Sequence, residues 1–243
     1  LSSRLNYPMK LICIGRNYAN HISELKNEKP EHPVVFLKPD SSVLLKNNPF
    51  IIPEFTKDVH HEVEILVKIN KVGKHIQTKF AHKYYDEIGL GIDFTARDIQ
   101  NQLKEQGLPW EKAKGFDGAA VIGETWLPKD RFQDLNNIDF RLEKNKTAVQ
   151  SGSTSEMLWK IDELIAYVSE YFTLKIGDVI FTGTPAGVGK VVENDVLKGD
   201  LWCLLESIKT MYQKKEIILT DNVLERLTVH LSKETILRVI GAS

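Results

Sequence analysis

Residues 60–69 read HHEVEILVKI. Val63, Ile65, Val67 and Ile69 share one side of an extended chain, the period-two pattern of a half-buried β-strand. The same period sets Glu62 and Glu64 side by side on the opposite face. Two carboxylates so placed are either a solvated sheet surface or two ligands of one cation, and the second reading needs a third oxygen ligand elsewhere in the chain.

On the N-terminal side, KLICIG reads as a strand and NYANHISEL as a short helix that Asn17 could cap. Residues 27–33 are rich in charge and proline and are expected to form a mobile loop. PVVFLKP and the stretch 51–69 read as strands, punctuated by Pro39, Pro49 and Pro53. On the C-terminal side, EIGLGID is a strand ending at Asp93. TARDIQNQLKEQG follows as a helix, with Thr95 and Asp98 spaced as a capping box, Gly107 just past its end and Pro109 beyond.

Residues 119–149 alternate short apolar runs with polar turns, as antiparallel strands do. SEMLWKIDELIAYVSEYF places Leu158, Ile161, Leu164, Ile165 and Val168 at helical spacing. LKIGDVIFTGTPAGVG is a strand entering a glycine-rich turn, KGDLWCLLESI follows it, and residues 222–240 read as an amphipathic helix. No internal repeat, low-complexity linker or domain boundary interrupts the pattern, so residues 9–243 are expected to form one catalytic domain. Residues 1–8, LSSRLNYP, precede a Met-Lys and an apolar run, and are expected to be a cloning remnant ahead of a natural start at Met9.

The chain has 243 residues, 42% of them hydrophobic, enough for a substantial core. Its formal net charge of -1, with acids and bases mixed throughout, argues against a nucleic-acid partner. Cys13 and Cys203 lie in apolar stretches without a CxxC pair, as buried thiols of a reducing compartment do, although a disulfide between them is the alternative. No apolar run approaches the roughly 20 residues that span a bilayer, and no signal peptide opens the chain. A cytoplasmic protein without a membrane partner is the expectation.

Asp93, at the end of its strand and directly before a helix, supplies the third acid. Glu62, Glu64 and Asp93 form an all-oxygen set suited to Mg²⁺ or Mn²⁺ rather than zinc. His60 and His61 border the acids and could orient them through hydrogen bonds. His21 and Glu24 are three apart on a helix, which makes either a surface pair or a general base with its orienting carboxylate. Arg97 and Lys114 are either surface cations or anchors for a substrate carboxylate. TGTPAGVGK is no phosphate loop, because Thr184 and Val191 stand where that motif needs glycine and Ser or Thr. It leaves a turn whose amides and Thr184 hydroxyl face a bound carboxylate, or a plain tight turn.

Taken in order and spacing, ICIGRNYANHISEL, HHEVEILVKI, GIDFTARDIQ, GLPWEKAKGFDG and FTGTPAGVG resemble the fumarylacetoacetate hydrolase family, in its short branch of acylpyruvate hydrolases and oxaloacetate decarboxylases. The resemblance runs from about Met9 to about Leu201. It implies an α+β fold, a rolled, mixed and mostly antiparallel β-structure with a few flanking helices, and a homodimer. It implies that Glu62, Glu64 and Asp93 bind Mg²⁺ or Mn²⁺, that His21 and Glu24 form a catalytic dyad on a segment that closes as a lid, and that Lys114 is catalytic. Arg16, Arg97, Gln100 and Thr184 then line the substrate pocket. There are two departures. The extra N-terminal domain of the larger fumarylacetoacetases is not expected here, which weakens an assignment to tyrosine breakdown, and the chain from about residue 203 does not follow the family's short ending.

The activity implied is metal-dependent cleavage of a C–C bond in acylpyruvate-type 2,4-dioxo acids, with decarboxylation of oxaloacetate as a companion. The 2-oxo oxygen and its carboxylate would chelate the cation, and the pyruvate enolate would form as the bond breaks. One alternative is isomerisation or decarboxylation of dioates such as 2-hydroxyhepta-2,4-diene-1,7-dioate. The other is a non-catalytic metal-dependent binding protein.

Overall fold

The computed structural model describes residues 10–25, 28–46 and 48–201, and the backbone of 235–241. Residues 1–8, Cys203 and the greater part of the helix expected over 222–240 lie outside the described residues.

The strands are β1 (Leu11–Gly15), β2 (Val34–Lys38), β3 (Phe50–Ile52), β4 (Val59–His61), β5 (Val63–Ile69), β6 (Tyr85–Asp93), β7 (Thr95–Ala96), β8 (Ala120–Ile122), β9 (Leu127–Pro128), β10 (Asp139–Lys144), β11 (Thr147–Ser153), β12 (Val179–Phe181), β13 (Gly189–Lys190), β14 (Val196–Leu201) and β15 (Thr235–Gly241). The helices are α1 (Ala19–Glu24), α2 (Thr78–Ala81), α3 (Arg97–Glu105), α4 (Glu111–Lys114) and α5 (Ile161–Tyr171). Among the described residues no helix is long and apolar enough to cross a membrane.

The described strands form three sheets. The largest has the order β2-β1-β12-β5-β6-β8, with β9 added on β6; the second is β11-β10-β14-β15-β3, and the third β13-β4-β7. Among the described strand pairs only β1 with β12 and β15 with β3 run parallel, so the α+β, mostly antiparallel fold is the one observed.

Strand β5 lies in the middle of the large sheet and is buried on both faces, which corrects the half-buried reading. Val63, Ile65, Val67 and Ile69 enter the main core. Leu66 enters a second cluster with Leu11, Cys13, Ala120, Val179 and Phe181. Burying each such aliphatic side chain contributes about 1.5–3 kcal/mol. Opposite Glu64 in the ladder stands Gly91, where an added Cβ would lie 2.4 Å from the Val121 carbonyl oxygen and 2.7 Å from Leu66.

Glu62 sits in the one-residue gap between β4 and β5, where the chain leaves the small sheet for the large one. Phe94 marks the matching gap between β6 and β7, so Asp93 ends its strand at the same seam. The Asp93 N–H donates to the Glu62 carbonyl at 2.8 Å, which closes the seam and draws the acids together.

Several local expectations change. Asn17 does not cap α1: its amide donates to the Trp159 and Thr182 carbonyls and accepts from Trp159 N–H, so it ties three segments together. Thr95 belongs to β7 and forms no capping box; Asp98 instead accepts from Thr56 Oγ1, Lys57 N–H and Ile99 N–H. Helix α5 begins only at Ile161, leaving Leu158 ahead of it, because Ser153–Glu156 close a separate capped turn. Residues 235–240 are strand, not helix: TILRVIG is dominated by β-branched residues and pairs with β14 and β3.

Candidate functional site

One carboxylate oxygen from each of Glu62, Glu64 and Asp93 lies within 4.8 Å of the other two, and all three residues are buried, at 5%, 2% and 1% exposure. Three cations surround them. Lys114, the last residue of α4, donates from Nζ to Glu62 Oε2 at 2.8 Å and Asp93 Oδ2 at 2.7 Å. Arg97, the first residue of α3, bonds Glu62 Oε1 through Nη2 and Gln100 Oε1 through Nη1 at 2.6 Å. Lys38, at the end of β2, places Nζ 2.6 Å from Asp93 Oδ1. Asp93 Oδ1 makes this ion pair and is otherwise a buried oxygen without a hydrogen bond.

These contacts set the protonation states. Burial works to raise the Glu62 carboxyl, but the Lys114 and Arg97 charges prevail and hold it well below the usual carboxylate range. Burial, followed by the Asp93 and Glu62 charges, pushes Glu64 well above that range. Burial lowers Lys114, but Asp93 and Glu62 outweigh it and leave the ammonium harder to deprotonate than usual.

The donor set fits a hard divalent cation: three buried carboxylates, no soft ligand, one oxygen without a hydrogen bond and one acid, Glu64, whose charge a further cation would stabilise.

The cleft above the acids encloses about 440 Å³, open mouth included, and is lined by His21, Arg16, Arg97, Gln100, Lys114 and Thr184 besides the triad. Every residue assigned to the site from the sequence therefore lines it, except Glu24. Glu24 stands behind His21, whose Nδ1 is 3.3 Å from its Oε2, and its carboxylate also accepts the Gly187 N–H at 3.0 and 3.2 Å. Burial lowers the His21 pKa, against the opposing pull of Glu62 and Glu24, and so favours a neutral imidazole. Arg16 follows β1 with a left-handed φ of 59°, strain of the kind found at ligand sites, and its guanidinium lies over Trp110.

His60 and His61 do not bond the acids as expected. His60 pairs with Asp58 and His61 with Gln150; as neighbours on β4 their rings lie on opposite faces of the strand. The sequence reading missed Lys38, Gln150, Lys104 and the cleft's aromatic walls, Phe36 and Trp110. For Lys38 a signal existed: Phe36 and Lys38 are two apart on one strand and so share a face.

The chain belongs to the fumarylacetoacetate hydrolase family: residues 10–214 match the family described as fumarylacetoacetate (FAA) hydrolase C-terminal. It is 37% identical over 216 residues to the mitochondrial oxaloacetate tautomerase of Bos taurus, covering 89% of this chain and 97% of that one. It is 43% identical over 190 residues to the mitochondrial oxaloacetate decarboxylase of Dictyostelium discoideum, covering 78% and 87%. Among solved structures it resembles the fumarylpyruvate hydrolase of Pseudomonas aeruginosa in complex with Mn²⁺ and pyruvate, with a TM-score of 0.78 and 28% identity over 96% of this chain and 90% of that one. These relatives make it a member of an enzyme family.

Proposed function

We propose that the chain is a Mg²⁺- or Mn²⁺-dependent enzyme of small 2-oxo acids, that oxaloacetate is its first substrate, by tautomerisation or decarboxylation, and that acylpyruvate hydrolysis is a second activity of the same centre. The observation that carries this is the charge arrangement. Glu62, Glu64 and Asp93 face Lys38, Lys114 and Arg97, so with all six groups ionised the cluster is neutral. A divalent cation then leaves the cleft with a surplus of positive charge that a dianionic 2-oxo acid complements. The names of the relatives support oxaloacetate, and the Mn²⁺ and pyruvate of the Pseudomonas aeruginosa enzyme support the cation and the 2-oxo acid head.

Glu62, Glu64 and Asp93 would hold the cation, which when bound supplies Lewis-acid stabilisation of negative charge on the substrate's 2-oxo oxygen. Lys114 keeps its proton and adds fixed positive charge beside that oxygen. His21 has Nδ1 engaged by Glu24, which leaves Nε2 as the basic nitrogen. In tautomerisation it takes a proton from the methylene carbon, the electron pair moves toward the 2-oxo oxygen, and that oxygen takes a proton from the imidazolium or from solvent to give the enol. In decarboxylation the bond to the departing carboxylate breaks and CO₂ leaves, the electron pair moves toward the 2-oxo oxygen, and solvent gives the methylene carbon a proton as the electrons return. The His21 and Glu24 pairing also favours the hydrolytic reading, with Nε2 taking a proton from the water that attacks the distal carbonyl. The homodimer that the family resemblance implies is part of the same proposal, and sedimentation equilibrium reads it.

The test strips the protein of metal, restores Mn²⁺ or Mg²⁺, and offers oxaloacetate and acetylpyruvate in parallel. Enol absorbance and pyruvate release are followed against metal-only controls. Metal-dependent enol conversion or decarboxylation of oxaloacetate is expected. Tight Mn²⁺ binding with no turnover of either compound would overturn the proposal.

A further inference from the structure

A buried amide outside the reaction scheme above fixes the polarity of the Thr184 hydroxyl. Gln150, on β11 and 2% exposed, takes the Val63 N–H on Oε1 at 3.1 Å. A backbone N–H only donates, so this end of the amide is the oxygen. His61 Nδ1, 2.9 Å from the same oxygen, therefore carries a hydrogen. The other end lies 3.0 Å from the Pro185 carbonyl, which only accepts, so it is the NH₂ group. The two ends agree independently on the orientation of the amide.

Nε2 also donates to Thr184 Oγ1 at 2.9 Å. Thr184 Oγ1 is 2.8 Å from the Val63 carbonyl oxygen, to which it must give its one proton. The proton and one lone pair are thus committed within the protein. Thr184 lines the cleft, and the one thing its hydroxyl has left for a ligand there is its second lone pair.

We propose that Thr184 acts in the cleft as a hydrogen-bond acceptor that favours ligands carrying a hydroxyl proton, and that Gln150 is the positioning residue that holds this polarity. The inference rests on the function proposed above and narrows it: at Thr184 the site favours the enol of a 2-oxo acid, or a 2-hydroxy acid, over a bare carboxylate oxygen, whose lone pairs would meet another lone pair. The sequence expectation that the Thr184 hydroxyl faces a carboxylate is revised accordingly.

Two probes of similar size separate the cases, both measured calorimetrically on the Mn²⁺-loaded full chain. Glycolate brings a hydroxyl proton, whereas oxalate brings only acceptor oxygens. Thr184→Val should weaken glycolate about five- to tenfold, the worth of one hydrogen bond of roughly 1–1.4 kcal/mol, and leave oxalate within about twofold. Thr184→Ser should retain both. Gln150→Met should reproduce the selective loss of glycolate, and adding Gln150→Met to Thr184→Val should weaken glycolate no further, because both act through one hydroxyl. A merely structural role for Gln150 would weaken both probes together and overturn its assignment. Equal or greater loss of oxalate in Thr184→Val would overturn the acceptor assignment while the proposed function stands. If the loaded parent binds neither probe, the proposed function fails first and this inference with it.

Discussion

Gly183 gives its backbone N–H to Glu64 Oε2 at 2.7 Å, tying the glycine-rich turn to one of the three acids. The turn can make that bond because Gly183 has a left-handed φ of 101° and no side chain: a Cβ there would stand 2.8 Å from the Asn17 Cβ and 3.3 Å from the Ile14 carbonyl oxygen. The sheet order places β12, which leads into the turn, beside β5, which carries Glu64.

Gly183→Ala should therefore strain the turn and move its amide away from Glu64. A residue forced into that conformation costs about 1–3 kcal/mol, a fall in melting temperature of roughly 3–10 °C. Mn²⁺ affinity should fall with it, by about tenfold if one charge-assisted hydrogen bond orienting the ligand is lost. Calorimetric titration of the folded variant checks this, and an unchanged affinity would separate the turn from the acids.

Lys114 neutralises Glu62 and Asp93, two of the three carboxylates proposed to hold the cation. Lys114→Met leaves Glu62 and Asp93 buried with less countercharge, and breaking such a pair typically costs about 3–5 kcal/mol. The metal-free variant should melt well below the parent, and Mn²⁺ should raise its melting temperature by more than it raises the parent's. Turnover should be lost even with Mn²⁺ present, since Lys114 lines the cleft. An equal Mn²⁺ shift in both proteins would count against a shared role.

The acids were legible because their pattern is local. Period two places Glu62 near Glu64, and a strand ending directly before a helix singles out Asp93. What draws them together was not legible: the sheet seam at Glu62 leaves the alternation of HHEVEILVKI unbroken, and the matching gap at Phe94 hides inside GIDFTARD. Lys38 was missed because a lone lysine on a short strand reads as solvent-facing, while its partners, Asp93, Phe94 and Ala119, lie more than fifty residues away. Gln150 was missed for the same reason, since its four partners come from other strands and the turn. The C-terminal strand was read as helix because periodicity alone cannot show that β14 and β3 leave room for a strand between them.

The rate at low pH should report His21. Only the neutral imidazole can take a proton, so kcat/KM should fall as pH drops through the His21 pKa, which burial holds below its ordinary value of 6.5. Glu24 opposes that shift through its hydrogen bond and charge, so Glu24→Gln should move the acid limb to still lower pH while reducing the plateau rate. A limb that moved upward, or that survived His21→Ala unchanged, would assign it to another group.

Lys38 and Lys114 both reach Asp93, but from different sides. Lys114 lines the cleft. Lys38 is 2% exposed, and its ammonium also bonds the carbonyls of Lys114, Phe94 at 3.4 Å and Ala119 at 3.2 Å. It braces α4 and the start of β8 against the acid. Lys38→Met keeps the volume and removes the charge, so the metal-free protein should lose about 3–5 kcal/mol of stability. Because a bound cation supplies countercharge to Asp93, Mn²⁺ should restore most of that loss, and KM for oxaloacetate should stay within about twofold of the parent, a difference of only about 0.4 kcal/mol. The pair of variants then divides the two lysines: with Mn²⁺ bound, Lys38→Met is expected to turn over and Lys114→Met is not. If Lys38→Met were stable with Mn²⁺ yet equally inactive, its charge would have to act on the substrate through Asp93, and the brace would be the lesser part of its role.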